Sequence, residues 1–412
     1  MRDPAAQWRF HPFGVSQYAL DKLKEYKYSA MDMSPVSKYI MQPYWTWATT
    51  LFPMWIAPNM ITLSGFFFVM INLPLVVLYT PDLLSGEPSW IYFSMALGIW
   101  LYSTFDNVDG KQARRTGSSS PLGELFDHGI DALNATFATI LQAAGAGTGF
   151  GWDYVTLMFT IVTAFFFSTW ETYYTGTLYL GYINGPTEGL ILSVASLVIS
   201  GIYGPKIWWN RVSDVVPAEW LPPVVADLKL LQVSFAALLV LLFTTQIPVS
   251  LVRVREACTR RNMSFSSAVL QTLPYFAANA LIFVWISTPG SIALSKHGLL
   301  LTSAWGIAFG RMAAKIVLAH VTHTEYPDFA FIVLPFLVGA VFMRAPQLFG
   351  IDIIFDSATE TRYIYAVFTA FLVDYLLWVC EVIHQFCRHL GIKCLRIPTR
   401  KATAHRPQQP RR

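Results

Sequence analysis

The chain has 412 residues, of which 54% are hydrophobic and only 13% charged, and its mean hydropathy is +0.44. A soluble domain of this size carries about 25% charged residues, so composition excludes an ordinary soluble protein and requires a lipid-embedded one. The formal net charge is +4, and no nucleic acid is expected as a partner.

Residues 1–35 are polar and mixed in charge, with no apolar core of a signal peptide. The first true span then has to serve as the targeting signal. Residues 36–52, VSKYIMQPYWTWATTLF, are aromatic-rich and too interrupted to cross a bilayer. They are read as an interfacial amphipathic segment anchored by Tyr44, Trp45 and Trp47.

Ten apolar stretches long enough for about 30 Å of hydrocarbon follow, near 59–80, 89–113, 122–147, 152–180, 187–204, 226–247, 267–288, 295–321, 327–345 and 361–387. The expected fold is an all-α integral membrane protein of about ten transmembrane helices. Residues 1–58 form a cytosolic N-terminal and interfacial segment, 59–390 a multi-span membrane domain, and 391–412 a basic cytosolic tail read as disordered. Basic residues set the orientation. Arg114 and Arg115 lie in one cytosolic loop and Arg253, Arg255, Arg260 and Arg261 in another, whereas 81–88 carries no Lys or Arg. Both termini are then cytosolic. The four cysteines show neither metal-binding nor disulfide-framework spacing.

The chemistry concentrates in DNVDGKQARRTGSSSPLGELFDHGID, residues 106–131. Asp106 and Asp109 are i,i+3 and Asp127 and Asp131 are i,i+4, so on helices each pair shares a face. Two helices packed through these faces gather four carboxylates at membrane depth, where ionisable groups are functional by default. Hard divalent cations with oxygen ligands resolve the charge conflict, giving a one- or two-metal Mg²⁺ or Mn²⁺ site. Gly110, Ala113 and Gly123 remove side chains beside the acids and allow a second backbone or a flat ligand to come close. Arg114 offers its fork to phosphate. Metals, arginine and small residues together suggest a diphosphate ligand.

The run matches D-x2-D-G-x2-A-R-x8-G-x3-D-x3-D without a departure and so resembles the CDP-alcohol phosphotransferase family. QPYWTWATTLFPMWIAPNMITLSGF at 42–66, PLGELFDHGID at 121–131 and TWETYYTGTLYLGYINGPTEG at 169–189 extend the likeness to its eukaryotic choline/ethanolamine branch. The resemblance implies transfer of phosphocholine or phosphoethanolamine from CDP-choline or CDP-ethanolamine to diacylglycerol, with release of CMP, the last step of the Kennedy pathway. It also implies two metal ions, a multi-pass protein of the endoplasmic reticulum or Golgi with a cytosol-facing site, and a homodimer. Asp106, Asp109 and Asp127 become metal ligands, and Asp131 either touches the second metal or acts as base near the acceptor hydroxyl. His128, i,i+3 from Asp131, is the other candidate base.

The flanking residues each have two readings. Lys111 meets phosphate or snorkels, and Glu124 orients His128 or is a solvated loop-end carboxylate. Asn59, after Pro58, resembles the family's P-N-x-x-T element with Thr62, as a helix cap alone or as a cap that also contacts nucleotide. Trp170, Tyr173 and Tyr174 offer aromatic faces to a quaternary ammonium or form an interfacial belt. Glu171 and Glu188 are candidates for the headgroup ammonium. Phe-rich stretches at 66–68 and 165–167 suit acyl chains or simple lipid-facing helices. The competing functions are a phosphotransferase for another alcohol such as inositol, and a cation-coupled membrane transporter.

Overall fold

The computed structural model describes residues 14–84, 88–220, 222–350 and 355–397. The expectation of a disordered tail falls, from residue 398 on, outside the described residues. Four short elements precede the first span: α1 (Gln17–Lys22), capped by Ser16, whose hydroxyl accepts from Ala19 N at 3.2 Å; β1 (Ala30–Asp32); a π-helical turn (Ser37–Met41); and α2 (Gln42–Thr50), which continues it.

The interfacial segment is helical, yet its anchors divide. Trp47 is exposed, but Trp45 is buried, and the Tyr44 hydroxyl is paired with Thr104 at 3.1 Å and accepts from Trp100 at 3.2 Å. A helix lying on the bundle turns only one face outward, and that face carries Tyr39, Ile40 and Trp47.

The membrane part begins with α3 (Pro58–Met70) and α4 (Leu73–Tyr79), which bend at Asn72. It continues with α5 (Trp90–Thr116), α6 (Pro121–Ala146), α7 (Trp152–Thr175), β2 (Leu178–Leu180), α8 (Leu190–Tyr203) and the short α9 (Pro223–Ala226). Then come α10 (Leu230–Leu241), α11 (Ile247–Arg260), α12 (Phe265–Leu270), α13 (Leu273–Ile286), α14 (Gly298–Thr322), α15 (Ala330–Phe349) and α16 (Ser357–Leu390).

Among the described residues, eight helical runs are long and apolar enough to cross a membrane. Helices α5 and α6, of 27 and 26 residues, are about 40 Å long and miss that threshold of composition because they carry the charged motif. Each of the ten predicted stretches thus falls on a helix. Two boundaries differ. The sixth runs unbroken from Leu230 to Arg260, so Arg253, Arg255 and Arg260 stand on a helix end and not in a loop. A π turn at Leu242–Gln246 supplies the slack for Pro248, which has no N–H to donate. The fourth stops at Thr175, because Gly176 turns left-handed at φ +77 and the chain becomes β2.

Close helix packing places the site. A Cβ on Gly98 would lie 2.6 Å from the Phe68 carbonyl oxygen, and one on Gly306 would lie 2.5 Å from Thr136 Cγ2. Only hydrogen at these positions lets α5 meet α3 and α14 meet α6. Helix α5 is held mainly by α3 and α8, and α6 mainly by α14, whereas α5 and α6 touch each other little. The result is a crevice between the two acid-bearing helices.

The N-terminal segment crosses the end of the bundle. Strand β1 pairs in parallel with β2, in the register Ala30↔Leu178, Met31↔Tyr179 and Asp32↔Leu180. Leu20 and Leu23 pack with Trp378, Val382 and Phe386 of α16, and Val15 N donates to Gln385 Oε1 at 2.6 Å.

Candidate active site

The hairpin of α5 and α6 is written in its turn. Gly117, at φ +66, closes α5; the Ser120 hydroxyl caps α6 by accepting from Gly123 N at 3.2 Å, and Pro121 occupies the first helical position. Asp106 and Asp131 therefore lie equally far from the turn, about 15 Å along their helices, with Asp109 and Asp127 roughly one helical turn nearer its end.

Carboxylate oxygens of Asp106, Asp127 and Asp131 lie within 4.8 Å of one another. Asp109 is buried and accepts a hydrogen bond from the Thr62 hydroxyl of α3, and Asp131 accepts one from the Tyr102 hydroxyl of α5. Oδ1 of Asp106 and Oδ1 of Asp127 are buried and have no hydrogen-bond partner among the described residues. Gathered carboxylates with orphaned oxygens are costly in a low-dielectric interior. An all-oxygen donor set of this kind fits a hard divalent cation.

The glycines of the motif behave unlike the packing glycines. An added Cβ on Gly110 would meet nothing closer than Arg114 Nη1 at 3.6 Å, and on Gly123 nothing closer than Ser120 Oγ at 3.7 Å and Asn59 Oδ1 at 3.8 Å. No second backbone presses on them, so their small size leaves open space beside the acids. Arg114 is exposed at this mouth, whereas Arg115 caps the end of α2 through the carbonyls of Thr49 at 3.0 Å and Phe52 at 2.8 Å.

His128 is buried, and its Nδ1 has no hydrogen-bond partner among the described residues and lies 3.8 Å from Asp127 Oδ2. Glu124, one helical turn earlier, has Oε1 3.7 Å from His320 Nε2 and an unpartnered Oε2.

Other expected residues are occupied elsewhere. Lys111 donates to Gln42 Oε1 at 2.7 Å and Thr46 Oγ1 at 3.1 Å, tying α2 to α5. Asn59 lies in the first turn of α3, whose cap position is Ala57, so it is not the N-cap; its Nδ2 faces Cys394 Sγ at 3.5 Å. Trp170 is sealed in the core with Nε1 donating to the Ala268 carbonyl at 3.2 Å. Glu171 is buried and accepts from Arg253 and, at 2.8 Å, from Ser250. Glu188 accepts from the Ser34 hydroxyl and from Asn184 N at 2.9 Å. Of the six phenylalanines, Phe67 alone is largely exposed; Phe166, for one, stacks on Tyr275 at 4.2 Å.

Sequence reasoning missed Tyr102, His320 and the Thr62–Asp109 contact. Tyr102 lies four residues before Asp106 on α5, a spacing that places both on one face, but aromatic residues are too frequent here (15% of the chain) for that to single it out.

Fold and site together define an integral membrane protein built around a half-buried cluster of aspartates. The chain belongs to the CDP-alcohol phosphatidyltransferase family, whose profile matches residues 55–309. It is 34% identical over 400 residues to choline/ethanolaminephosphotransferase 1 of Saccharomyces cerevisiae, covering 93% of this chain and 98% of that one. Cholinephosphotransferase 1 of the same yeast is 36% identical over 341 residues, covering 80% and 84%. Ethanolaminephosphotransferase 1 of Mus musculus is 30% identical over 397 residues, covering 92% and 93%.

Proposed function

We propose that the protein transfers phosphocholine and phosphoethanolamine from CDP-choline and CDP-ethanolamine to diacylglycerol. The observation that carries this reading is the convergence of Asp106, Asp127 and Asp131 within 4.8 Å, with two orphaned buried oxygens, beside glycines that leave open space. Two Mg²⁺ or Mn²⁺ ions held by Asp106, Asp109, Asp127 and Asp131 would neutralise the diphosphate and stabilise departing CMP. The exposed Arg114 guanidinium binds a phosphate oxygen in the same mouth.

The diacylglycerol oxygen bonds to the phosphorus that carries the alcohol, the bond from that phosphorus to the bridging oxygen breaks, and CMP leaves with that oxygen. His128 takes the hydroxyl proton. Its unpartnered Nδ1 supports this choice over Asp131, one oxygen of which is already engaged by Tyr102. Glu124, with a free carboxylate oxygen one turn away, orients the imidazole.

Headgroup tolerance is supported by the engagement of Trp170, Glu171 and Glu188 in tertiary contacts, which leaves none of the three free to discriminate. Relatives named for choline, for ethanolamine and for both agree with dual use. Diacylglycerol enters sideways from the bilayer, and the site opens to the cytosolic face of the endoplasmic reticulum or Golgi, on the side of Arg114, Arg115 and the Arg260 helix end. The test is lipid product formation by the reconstituted protein with diacylglycerol, Mg²⁺ and equal CDP-choline and CDP-ethanolamine. Two products in comparable amount support the reading. A single dominant product overturns dual use, and no product overturns the function.

A further inference from the structure

A pocket of about 570 Å³ lies between the turn at 52–56, the start of α3 and the segment that follows α16. Ile61 and Phe105 line it, whereas their sequence neighbours Thr62 and Asp106 belong to the acidic site, so the pocket backs onto that site without sharing a residue with it. Ala57, Met60, Ile61 and Ser64, spaced i, i+3, i+4 and i+7, give it one face of α3. That face runs about 10 Å along the helix, into the first membrane span. The opposite wall is fixed from α5. Gln112 Nε2 donates to the carbonyls of Pro53 at 2.9 Å and Ile56 at 3.2 Å, and the Phe52 and Phe105 rings meet edge-on with centroids 5.1 Å apart.

The rim carries a cation. Helix α16 ends at Gly391, and Lys393 and Arg396 then pair in an antiparallel bridge across the Cys394–Leu395 turn, which brings Arg396 to the pocket between Leu395 and Ile397. Cys394 Sγ, 3.5 Å from Asn59 Nδ2, holds this turn against α3. Arg396 and Lys393 are exposed, and neither is in an ion pair among the described residues. No Asp or Glu is among the lining residues. The sequence from 398 to 412 adds five Lys or Arg and no acid.

An apolar slot inside a membrane span, with an unpaired guanidinium at its rim and no carboxylate to meet an ammonium, is complementary to a phospholipid of net negative charge. We infer that this pocket binds an anionic phospholipid from the surrounding leaflet, one acyl chain lying against the Ala57–Ser64 face and Phe105 and the phosphate resting on the Arg396 guanidinium. The bound lipid ties the segment after α16 to the first span. This site is independent of the transferase reading, because the zwitterionic products proposed there carry an ammonium that the pocket has nothing to hold.

The test uses the full chain purified in detergent, with dioleoylphosphatidylglycerol and dioleoylphosphatidylcholine as probes, read by native mass spectrometry of retained lipid and by thermal melting across a lipid titration. Phosphatidylglycerol is expected to bind about ten-fold more tightly than phosphatidylcholine, as a hydrogen bond between charged groups allows, and to raise Tm as it binds. Arg396→Gln should abolish that preference. Ser64→Phe, which fills the slot, should weaken phosphatidylglycerol with Arg396 still in place. Equal affinity of the wild type for the two lipids overturns the inference, and so does an unchanged preference in Arg396→Gln. Wild-type binding by Ser64→Phe also overturns it, in favour of attraction to the basic surface alone. Arg396 is exposed, so its variant decides the matter even where Ser64→Phe melts lower without lipid.

Discussion

Gly110→Ala should give a protein at least as stable as the wild type and nearly inactive. Gly110 lies inside α5, outside the left-handed backbone region, and the atom nearest an added Cβ is the movable end of Arg114, 3.6 Å away. Alanine is favoured over glycine in a helix interior by about 0.8–1 kcal/mol, so folding should gain up to roughly that amount. The same methyl occupies space beside the acids that the proposed nucleotide needs. A displacement of about 1 Å at a reacting centre costs on the order of 10²-fold, and kcat/KM for the CDP-alcohol should fall by about that factor. Gly98→Ala is the control on the same helix. Its Cβ would stand 2.6 Å from a backbone oxygen of α3 that cannot swing away, so it should cost about 1–3 kcal/mol and leave KM of the folded fraction unchanged. The assay pairs thermal melting in detergent with CMP release. Wild-type kcat/KM in Gly110→Ala, or a melting temperature below that of Gly98→Ala, would refute the distinction between ligand-facing and packing glycines.

Three further outcomes are expected. His128→Ala should lower kcat by roughly 10²–10⁴ without lowering Tm; a near-normal rate would transfer the base role to Asp131. Glu171→Ala leaves Arg253 facing a buried gap and should destabilise by about 2–3 kcal/mol, at or below the low end for breaking a buried pair, because the Arg253 side chain keeps 28% exposure. Its ratio of choline to ethanolamine product should not move, and a changed ratio would return Glu171 to the headgroup. Chelation should silence CMP release and Mg²⁺ or Mn²⁺ restore it, with activity surviving in chelator refuting a metal held by Asp106, Asp109, Asp127 and Asp131.

The acid-bearing helices were legible because helical spacing puts each aspartate pair on one face. Span positions were legible for the same reason, since hydropathy is a property of neighbours in sequence. Tertiary partners were not. A buried glutamate such as Glu171 presents the same residue type whether its partner is a ligand ammonium or Arg253, 82 positions away. Trp170 is likewise as suitable for a cation as for the core that encloses it. The helical run to Arg260 was obscured by Pro248 and the arginines, which read as loop until the π turn is seen to absorb the proline.

The ribbon of β1 and β2 joins Ala30 to Leu178, and Val15 is bonded to Gln385, 370 positions along the chain. During synthesis the first attachment has to wait until α7 has emerged, and the second until nearly all of α16 has been made. The segment from Val15 to Asp32 is therefore made before everything it docks on and is among the last to be fastened. A chain that ended before α16 would carry every aspartate of the motif and still lack the surface on which Val15, Leu20 and Leu23 dock.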